Sequence, residues 1–343
     1  MRVTRESLIR IAKENVQERA YNNHDIVAAY LTGSLVSQEV DPMLGGTADI
    51  DLVLVHDNPP GARREIVKLT PDFHLDIAHR SKSEFKSPRE LRGDPWLGYE
   101  MYDPMLLYER EKFFEFVQAG LRAGFEFGAP DLTLQRCRKL LAEARKGWLD
   151  LMDIGGEKAG VQEMRRYLQS AQHAANTIVA LSSAPSQDRR FLLDFPSRAQ
   201  IAEKPEFTAE LLNLIGVEQF DTSVLSGWLS PWKQAFLAAS ERPNVDLRIN
   251  PVRLNYYEKA MKAMLEGDMP IAALWPMLLT WTLAAEVLNE TGQKEWREAC
   301  SHLNLLNNGF TDKMDSLDRF IDEIEVYLDE LAAANGIETS TSL

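Results

Sequence analysis

A glycine and a serine near the start of the chain have the residue types and setting that phosphate binding requires. Gly33 and Ser34 follow an apolar, β-prone run over residues 26–32, and glycine permits close backbone approach at the end of that run. If a helical turn begins at Ser34, its first N–H groups and the serine hydroxyl face the same point, where an anionic group binds well. The dipeptide therefore predicts a phosphate-binding turn after a strand.

Three aspartates follow on two further β-like runs. Asp49 and Asp51 begin the run 49–56, and alternation along a strand places them on one face, roughly 6.5 to 7 Å apart. Asp76 lies in the run 73–78 and meets the pair if the two strands are neighbours. Carboxylate oxygens suit Mg²⁺ or Mn²⁺, so the sequence predicts a metal site formed by all three acids.

Each of these motifs is common by itself, and a single Asp-x-Asp is more often a solvated strand end. Their order, with flanking apolar strands and without His or Cys ligands, resembles the nucleotidyltransferase superfamily of the DNA polymerase β type. The resemblance covers roughly residues 24–110. It implies transfer of a nucleoside monophosphate from a nucleoside triphosphate, with ATP the first choice, to a hydroxyl group, with release of pyrophosphate.

The same resemblance implies a role for each residue of the pattern. Asp49 and Asp51 would bind Mg²⁺, with Mn²⁺ as an alternative. Asp76 would complete the metal site and accept the proton of the attacking hydroxyl, whereas Gly33 and Ser34 would bind the β- and γ-phosphates.

Helical spacing of apolar residues replaces the β-like pattern from about residue 111 onward. We therefore predict an α+β fold with a small mixed sheet flanked by helices in residues 1–110 and an all-α bundle in residues 111–335. Residues 336–343 are predicted to be a disordered tail. The predicted helices of the bundle cover residues 132–152, 162–181, 206–215, 222–239, 252–265, 270–288, 294–305 and 315–334.

A helical domain behind such a core resembles the layout of aminoglycoside-type antibiotic nucleotidyltransferases, which implies a small hydroxyl-bearing acceptor. Arg136 and Lys139, near the start of the bundle, are candidates for binding the triphosphate, although pairing with the nearby acids Glu143 and Glu163 is the favoured explanation for either residue alone. Two alternatives stay open, namely transfer to a hydroxyl group of a partner protein and a module that only binds nucleotide. Arg166 and His173 also have the spacing of the ribonuclease pair in HEPN bundles, a coincidence expected among 38 Lys and Arg residues.

Composition restricts the partners and the location. A formal net charge of −14 over 343 residues disfavours long nucleic acids, which need clustered Lys and Arg. The 2 cysteines lack a zinc-site spacing, and the N-terminus lacks an apolar signal core. The most apolar stretch, residues 271–285, is short for a membrane span and contains a proline, so it predicts a buried helix. These features favour a cytoplasmic protein without a membrane partner.

Overall fold

The chain forms two compact units, Met1–Glu126 and Phe127–Leu343. The computed structural model describes residues 3–37, 41–85, 87–125, 129–154, 158–217 and 221–337. Within these ranges the first unit combines a five-stranded sheet with helices, and the second unit is helical. The predicted α+β class, a mixed sheet followed by a helical region, is therefore confirmed.

The sheet of the first unit is mixed and has the order β3-β4-β2-β1-β5. β2 and β4 are parallel neighbours, and the other neighbouring pairs are antiparallel. Central strands are covered on both faces, which explains why β1 and β2 are almost continuously apolar. The strands are β1 (Ile26–Leu31), β2 (Ala48–His56), β3 (Arg64–Lys68), β4 (Phe73–Ser81) and β5 (Met105–Glu109).

Helices cover both faces of this sheet. Helix α1 (Arg5–Asn22) buries Leu8, Ala12 and Val16 against one face. The opposite face packs against α2 (Pro88–Arg92), α3 (Leu97–Tyr102) and α4 (Phe113–Arg122). Because the apolar stripe of α4 belongs to this core, the observed division between the units falls after residue 126, whereas the sequence places it after residue 110.

The second unit is built around a helix that is buried on every side. All the residues of α11 (Leu274–Ala285) are buried, as predicted for this apolar stretch. Buried hydroxyls satisfy two indole groups, since Trp232 donates to Thr280 at 2.8 Å and Trp296 donates to Thr282 at 3.0 Å. The other helices are α5 (Pro130–Leu149), α6 (Val161–Val179), α7 (Phe191–Ile201), α8 (Glu206–Leu214), α9 (Ser223–Ser240), α10 (Leu254–Glu266), α12 (Lys294–His302) and α13 (Asn308–Ala334).

Three segments differ from the sequence prediction. Strand β3 was not predicted because charged residues bound its short apolar centre, as is typical of an edge strand. Helix α7 was not predicted because Pro196 lies inside it. Gly336 and Ile337, the first residues of the predicted tail, form the C-terminal cap of α13, and residues 338–343 lie outside the described ranges. Among the described helices, none has the length and apolarity to cross a membrane.

The carboxyl groups of Glu210 on α8 and Glu323 on α13 should make the stability of the fold depend on pH. Burial, followed by the neighbouring Glu323, raises the pKa of Glu210 to about 7. The folded chain thus holds this proton more tightly than the unfolded chain, so its contribution to stability is complete below about pH 4.5 and is lost as the pH rises to about 7. Solvent screening reduces the effect to about 1 kcal/mol.

We therefore expect Glu210→Gln to flatten the stability profile between pH 5 and 7. Urea unfolding followed by tryptophan fluorescence measures it, because six of the seven tryptophans lie in the second unit. Glu298→Gln on the exposed surface of α12 is the control and should keep the wild-type profile. An unchanged slope in Glu210→Gln would contradict the assignment.

Candidate active site

Three carboxylates meet at one end of the parallel strand pair. Asp51 on β2 is directly opposite Asp76 on β4, and Asp49 lies two residues before Asp51 on the same face. One oxygen from each of the three acids lies within 4.8 Å of the other two. Asp49 is 9% exposed, Asp76 is 3% exposed and Asp51 is partly buried, so two of the three carboxylates are largely removed from water. The structure thus brings together the three acids that the sequence proposed.

The Gly33 turn lies directly against this cluster. Residues Gly33–Leu35 form a 3-10 turn, and Gly33 has a φ of +71°, which favours glycine. A Cβ at this position would lie 2.0 Å from Oδ2 of Asp51. The N–H of Thr32 donates to the backbone carbonyl of Asp51 at 3.0 Å and joins the turn to β2. The backbone of the turn and the carboxylates therefore line the same site, with Ser34 half-buried in the turn.

Helix α1 fixes the other end of the turn. The Arg5 guanidinium donates to the carbonyl of Leu35 at 2.6 Å and to that of Val36 at 3.2 Å. Because these carbonyls are at the C-terminal end of the turn, its first N–H groups remain directed to the opposite end. Arg5 is thus a positioning residue for the Gly33–Leu35 turn.

An arginine that the sequence did not indicate holds the third acid. Arg64 on β3 donates to both carboxylate oxygens of Asp76, through Nε at 2.5 Å and Nη2 at 2.6 Å. The Asp76 side chain is 1% exposed, whereas that of Arg64 is 47% exposed. Arg64 is opposite Ala78 in the register, so it starts from the same face as Asp76 and approaches diagonally. Only the strand order could have revealed this contact.

These residues fit a divalent metal ion. The three acids supply oxygen donors only, which is the chemistry that Mg²⁺ and Mn²⁺ prefer. Gly33 leaves bare backbone beside Asp51, so phosphate oxygens have room to approach the acids. Arg64 occupies the two oxygens of Asp76, and full use of this acid as a ligand requires that the guanidinium move aside.

A partly buried ionic network lies further along the same face. Glu100 on α3 accepts hydrogen bonds from Tyr30 at 2.8 Å and from Arg80 at 2.9 and 2.6 Å. Burial, and then the nearby Glu100, raises the pKa of Tyr30 well above its ordinary value, so the phenol stays protonated. This network joins β1, β4 and α3 to one another.

The two phosphate ligands predicted in the helical unit, Arg136 and Lys139, differ in their exposure to solvent. Arg136 on α5 is fully buried and donates to Thr133 at 3.0 Å, so it has no access to a nucleotide in solvent. The spacing of Arg136 from the apolar residues of α5 places it on the core face of the helix. Its positive charge had instead suggested a phosphate ligand. Lys139 is exposed on the same helix and remains a prediction. His173 on α6 is partly buried, and burial lowers its pKa.

Removal of the Arg64 side chain should raise metal affinity. We expect Arg64→Ala to bind Mn²⁺ about tenfold more tightly without nucleotide, because the guanidinium no longer competes for Asp76. Without metal the variant should lose about 1 to 3 kcal/mol of unfolding free energy, since a buried carboxylate is left without its charged partner. Electron paramagnetic resonance of free Mn²⁺ and thermal unfolding with and without Mn²⁺ measure both effects.

The neighbouring Arg63 provides a matched control. It is more exposed and pairs with Glu84 at 2.9 Å, away from the acid cluster. Arg63→Ala should keep the wild-type Mn²⁺ affinity. If Arg64→Ala bound Mn²⁺ no more tightly than this control, competition between Arg64 and the metal would be disproved.

Comparisons with known proteins leave this chain without an assigned family. No protein-family model matches it, and no curated protein matches its sequence. Among solved structures it is similar to a nucleotidyltransferase-like protein from Exiguobacterium sibiricum 255-15, at 10% sequence identity and a TM-score of 0.34. That similarity covers 98% of this chain and 96% of the other. Values this low assign neither a family nor a function.

Proposed function

We propose that the chain is a metal-dependent nucleotidyltransferase whose first unit carries the active site. In this proposal a nucleoside monophosphate, with adenylate the first choice, passes from a nucleoside triphosphate to a hydroxyl group of a small molecule. The observation that carries the proposal is the contact between the Gly33 turn and the Asp49, Asp51 and Asp76 cluster. Acids that served only solubility would not need glycine backbone packed against them.

The reaction forms one bond and breaks one bond at the α-phosphorus. The oxygen of the acceptor hydroxyl attacks this atom, and the bond to the bridging oxygen of the pyrophosphate breaks. A bound Mg²⁺ or Mn²⁺, held by Asp49, Asp51 and Asp76, would supply charge stabilisation for the triphosphate. Asp76 is the assigned acceptor of the hydroxyl proton once Arg64 has moved aside.

The turn would bind the leaving part of the nucleotide. Its first N–H groups and the Ser34 hydroxyl are donors of the kind that bind phosphate, and Gly33 allows the β- and γ-phosphates to approach the backbone. Arg64, half-exposed beside the cluster, is the side chain that can transfer its hydrogen bonds from Asp76 to a phosphate. Positive charge at this edge would then stabilise the leaving pyrophosphate.

The net charge of the chain bears on the nature of the acceptor. The net charge of −14 disfavours long nucleic acid and is compatible with a cationic small molecule. Lys139 is the remaining candidate from the helical unit for a contact with the triphosphate.

Pyrophosphate release tests the proposed function. The purified full chain is incubated with Mg²⁺, each nucleoside triphosphate carrying a label at the α-phosphate, and a panel of hydroxyl-bearing compounds that includes aminoglycosides. We expect pyrophosphate and a labelled small product with at least one combination, and neither with Asp51→Asn. Label on the protein itself, or on an added protein, would show that the acceptor is a protein hydroxyl and not a small molecule. Nucleotide binding without pyrophosphate under any condition would indicate a binding module.

A further inference from the structure

A second polar cluster lies on the opposite face of the sheet from the acids. His56, the last residue of β2, and His79 on β4 lie on the face that α1 covers, next to the apolar row that ends at Leu54. Nε2 of His56 is 2.9 Å from Nδ1 of His79. Both side chains are mostly buried, with exposed fractions of 8% and 13%.

Each imidazole faces a carboxylate with its other nitrogen. Nδ1 of His56 is 3.3 Å from Asp25, and Nε2 of His79 is 3.5 Å from Glu65. The cluster is therefore a row of carboxylate, imidazole, imidazole and carboxylate. A carboxylate that accepts from one nitrogen of a histidine leaves the other nitrogen with its lone pair available, which is the usual arrangement behind a metal-binding histidine.

The number of protons does not match the number of contacts in this row. Two neutral imidazoles bring two N–H protons, whereas hydrogen bonds at all three contacts would need three. When Asp25 and Glu65 each accept an N–H, the two nitrogens between the rings face each other with lone pairs only.

We propose that His56 and His79 bind one transition-metal ion of the zinc class through Nε2 and Nδ1. Imidazole nitrogen suits Zn²⁺, whereas the carboxylates on the other face suit Mg²⁺, so the two sites select different ions. Asp25 and Glu65 face the other two ring nitrogens, and an N–H directed to each carboxylate would leave the proposed ligating nitrogens with their lone pairs.

The surroundings provide space and the remaining ligands. A cleft of about 380 Å³ opens beside the two rings and is lined by Glu18 and Asn22 of α1 among others. Water and these oxygen groups are the candidates for the remaining coordination positions. Arg19 also lines the cleft, and its guanidinium is bound to Glu65 at 2.5 Å and to Asn15 at 2.7 Å.

Zinc binding requires the two rings to move. Two nitrogens bound to one tetrahedral zinc at about 2.0 to 2.1 Å are roughly 3.3 Å apart. The nitrogens of His56 and His79 therefore separate by a few tenths of an ångström from the observed 2.9 Å, and each ring turns so that its lone pair points to the shared ion.

Zinc titration of the full chain tests this site. The protein is freed of metal with a chelator and titrated with Zn²⁺ by calorimetry in excess Mg²⁺, in the wild type and in Asp51→Asn, where the acid cluster is impaired. We expect one zinc per chain in both. His56→Gln and His79→Gln should each weaken binding at least 100-fold, and Asp25→Asn should weaken it 10- to 100-fold.

The control is His24→Gln, an exposed histidine in the loop between α1 and β1, which should bind zinc as the wild type does. Long-range ¹H–¹⁵N spectra of the wild-type imidazoles provide a test that needs no variant, because zinc should shift Nε2 of His56 and Nδ1 of His79. The proposal is overturned if neither nitrogen responds to zinc, or if His56→Gln and His79→Gln bind zinc as tightly as His24→Gln. An unresponsive pair would hold a shared proton in place of the metal.

Discussion

Gly33→Ala is expected to slow pyrophosphate release about 100-fold, the scale of loss for a 1 Å displacement of reacting groups. The added Cβ would lie 2.0 Å from Oδ2 of Asp51, and the φ of +71° would be strained for alanine. Either the turn or the Asp51 side chain must move, which separates the phosphate-binding backbone from the acids. Steady-state rates with the acceptor identified by the labelling screen measure the effect.

Gly46→Ala separates the steric effect from the cost of the backbone conformation. Gly46 has a φ of +74°, and a Cβ there would contact nothing within 4 Å. Both variants should lose about 1 to 2 kcal/mol of unfolding free energy from the left-handed conformation. Only Gly33→Ala should lose activity, and equal rates in the two variants would refute the role of the Gly33 contact.

Asp51→Asn and Asp49→Asn are expected to have the largest effect on turnover, a loss of about 1000-fold or more. Each variant removes one charge from the three carboxylates that hold the metal, and charge stabilisation in a largely buried site is the main contribution to catalysis of this kind. The thermal stability of Asp51→Asn without metal should rise slightly, because one like charge leaves the cluster. Activity that falls while stability rises distinguishes a functional carboxylate from a structural one.

Asp57→Asn is the matched control for these variants. Asp57 directly follows β2, is 52% exposed and pairs with Lys82 at 3.2 Å. Its replacement should change neither turnover nor Mn²⁺ affinity. Wild-type turnover in Asp51→Asn would remove Asp51 from the active site, however well the geometry fits.

The sequence predicted those elements whose signal is local. The strands around Asp49 and Asp76 have strong β-like runs with clear ends, and the structure confirms both. The helices α5 and α13 likewise have an apolar spacing that continues over several turns. Strand β3 and helix α7 were missed because their charge and proline content argue against the state that tertiary packing imposes.

Only those site residues that lie on predicted strands in a simple pairing could be proposed together from the sequence. Asp49, Asp51 and Asp76 could be proposed together because a parallel pairing of two strands would join them. Arg64 could not, since its contact with Asp76 depends on which strand forms the edge of the sheet. The same holds for His56 and His79, which are brought together by the register of β2 and β4.

Strand β3 contributes one residue to the surroundings of each cluster, on opposite faces of the sheet. Arg64 holds Asp76 on the face of the acid cluster, and the next residue, Glu65, lies 3.5 Å from His79 on the face of α1. Successive residues of a strand point to opposite faces, so one edge strand supports both proposed metal sites. A movement of β3 that releases Asp76 would therefore also change the environment of His79.

Binding of Mn²⁺ with a nucleotide analogue tests the central claim most directly, because it needs no acceptor. Electron paramagnetic resonance measures Mn²⁺ bound to the full chain, with and without an ATP analogue whose α,β bridge resists cleavage. We predict that the wild type binds Mn²⁺, that the analogue tightens this binding, and that Asp51→Asn loses both effects while Asp57→Asn keeps them. Equal Mn²⁺ binding by the wild type and Asp51→Asn, with no effect of the analogue, would contradict the proposal that these acids and the Gly33 turn form a nucleotide-binding metal site.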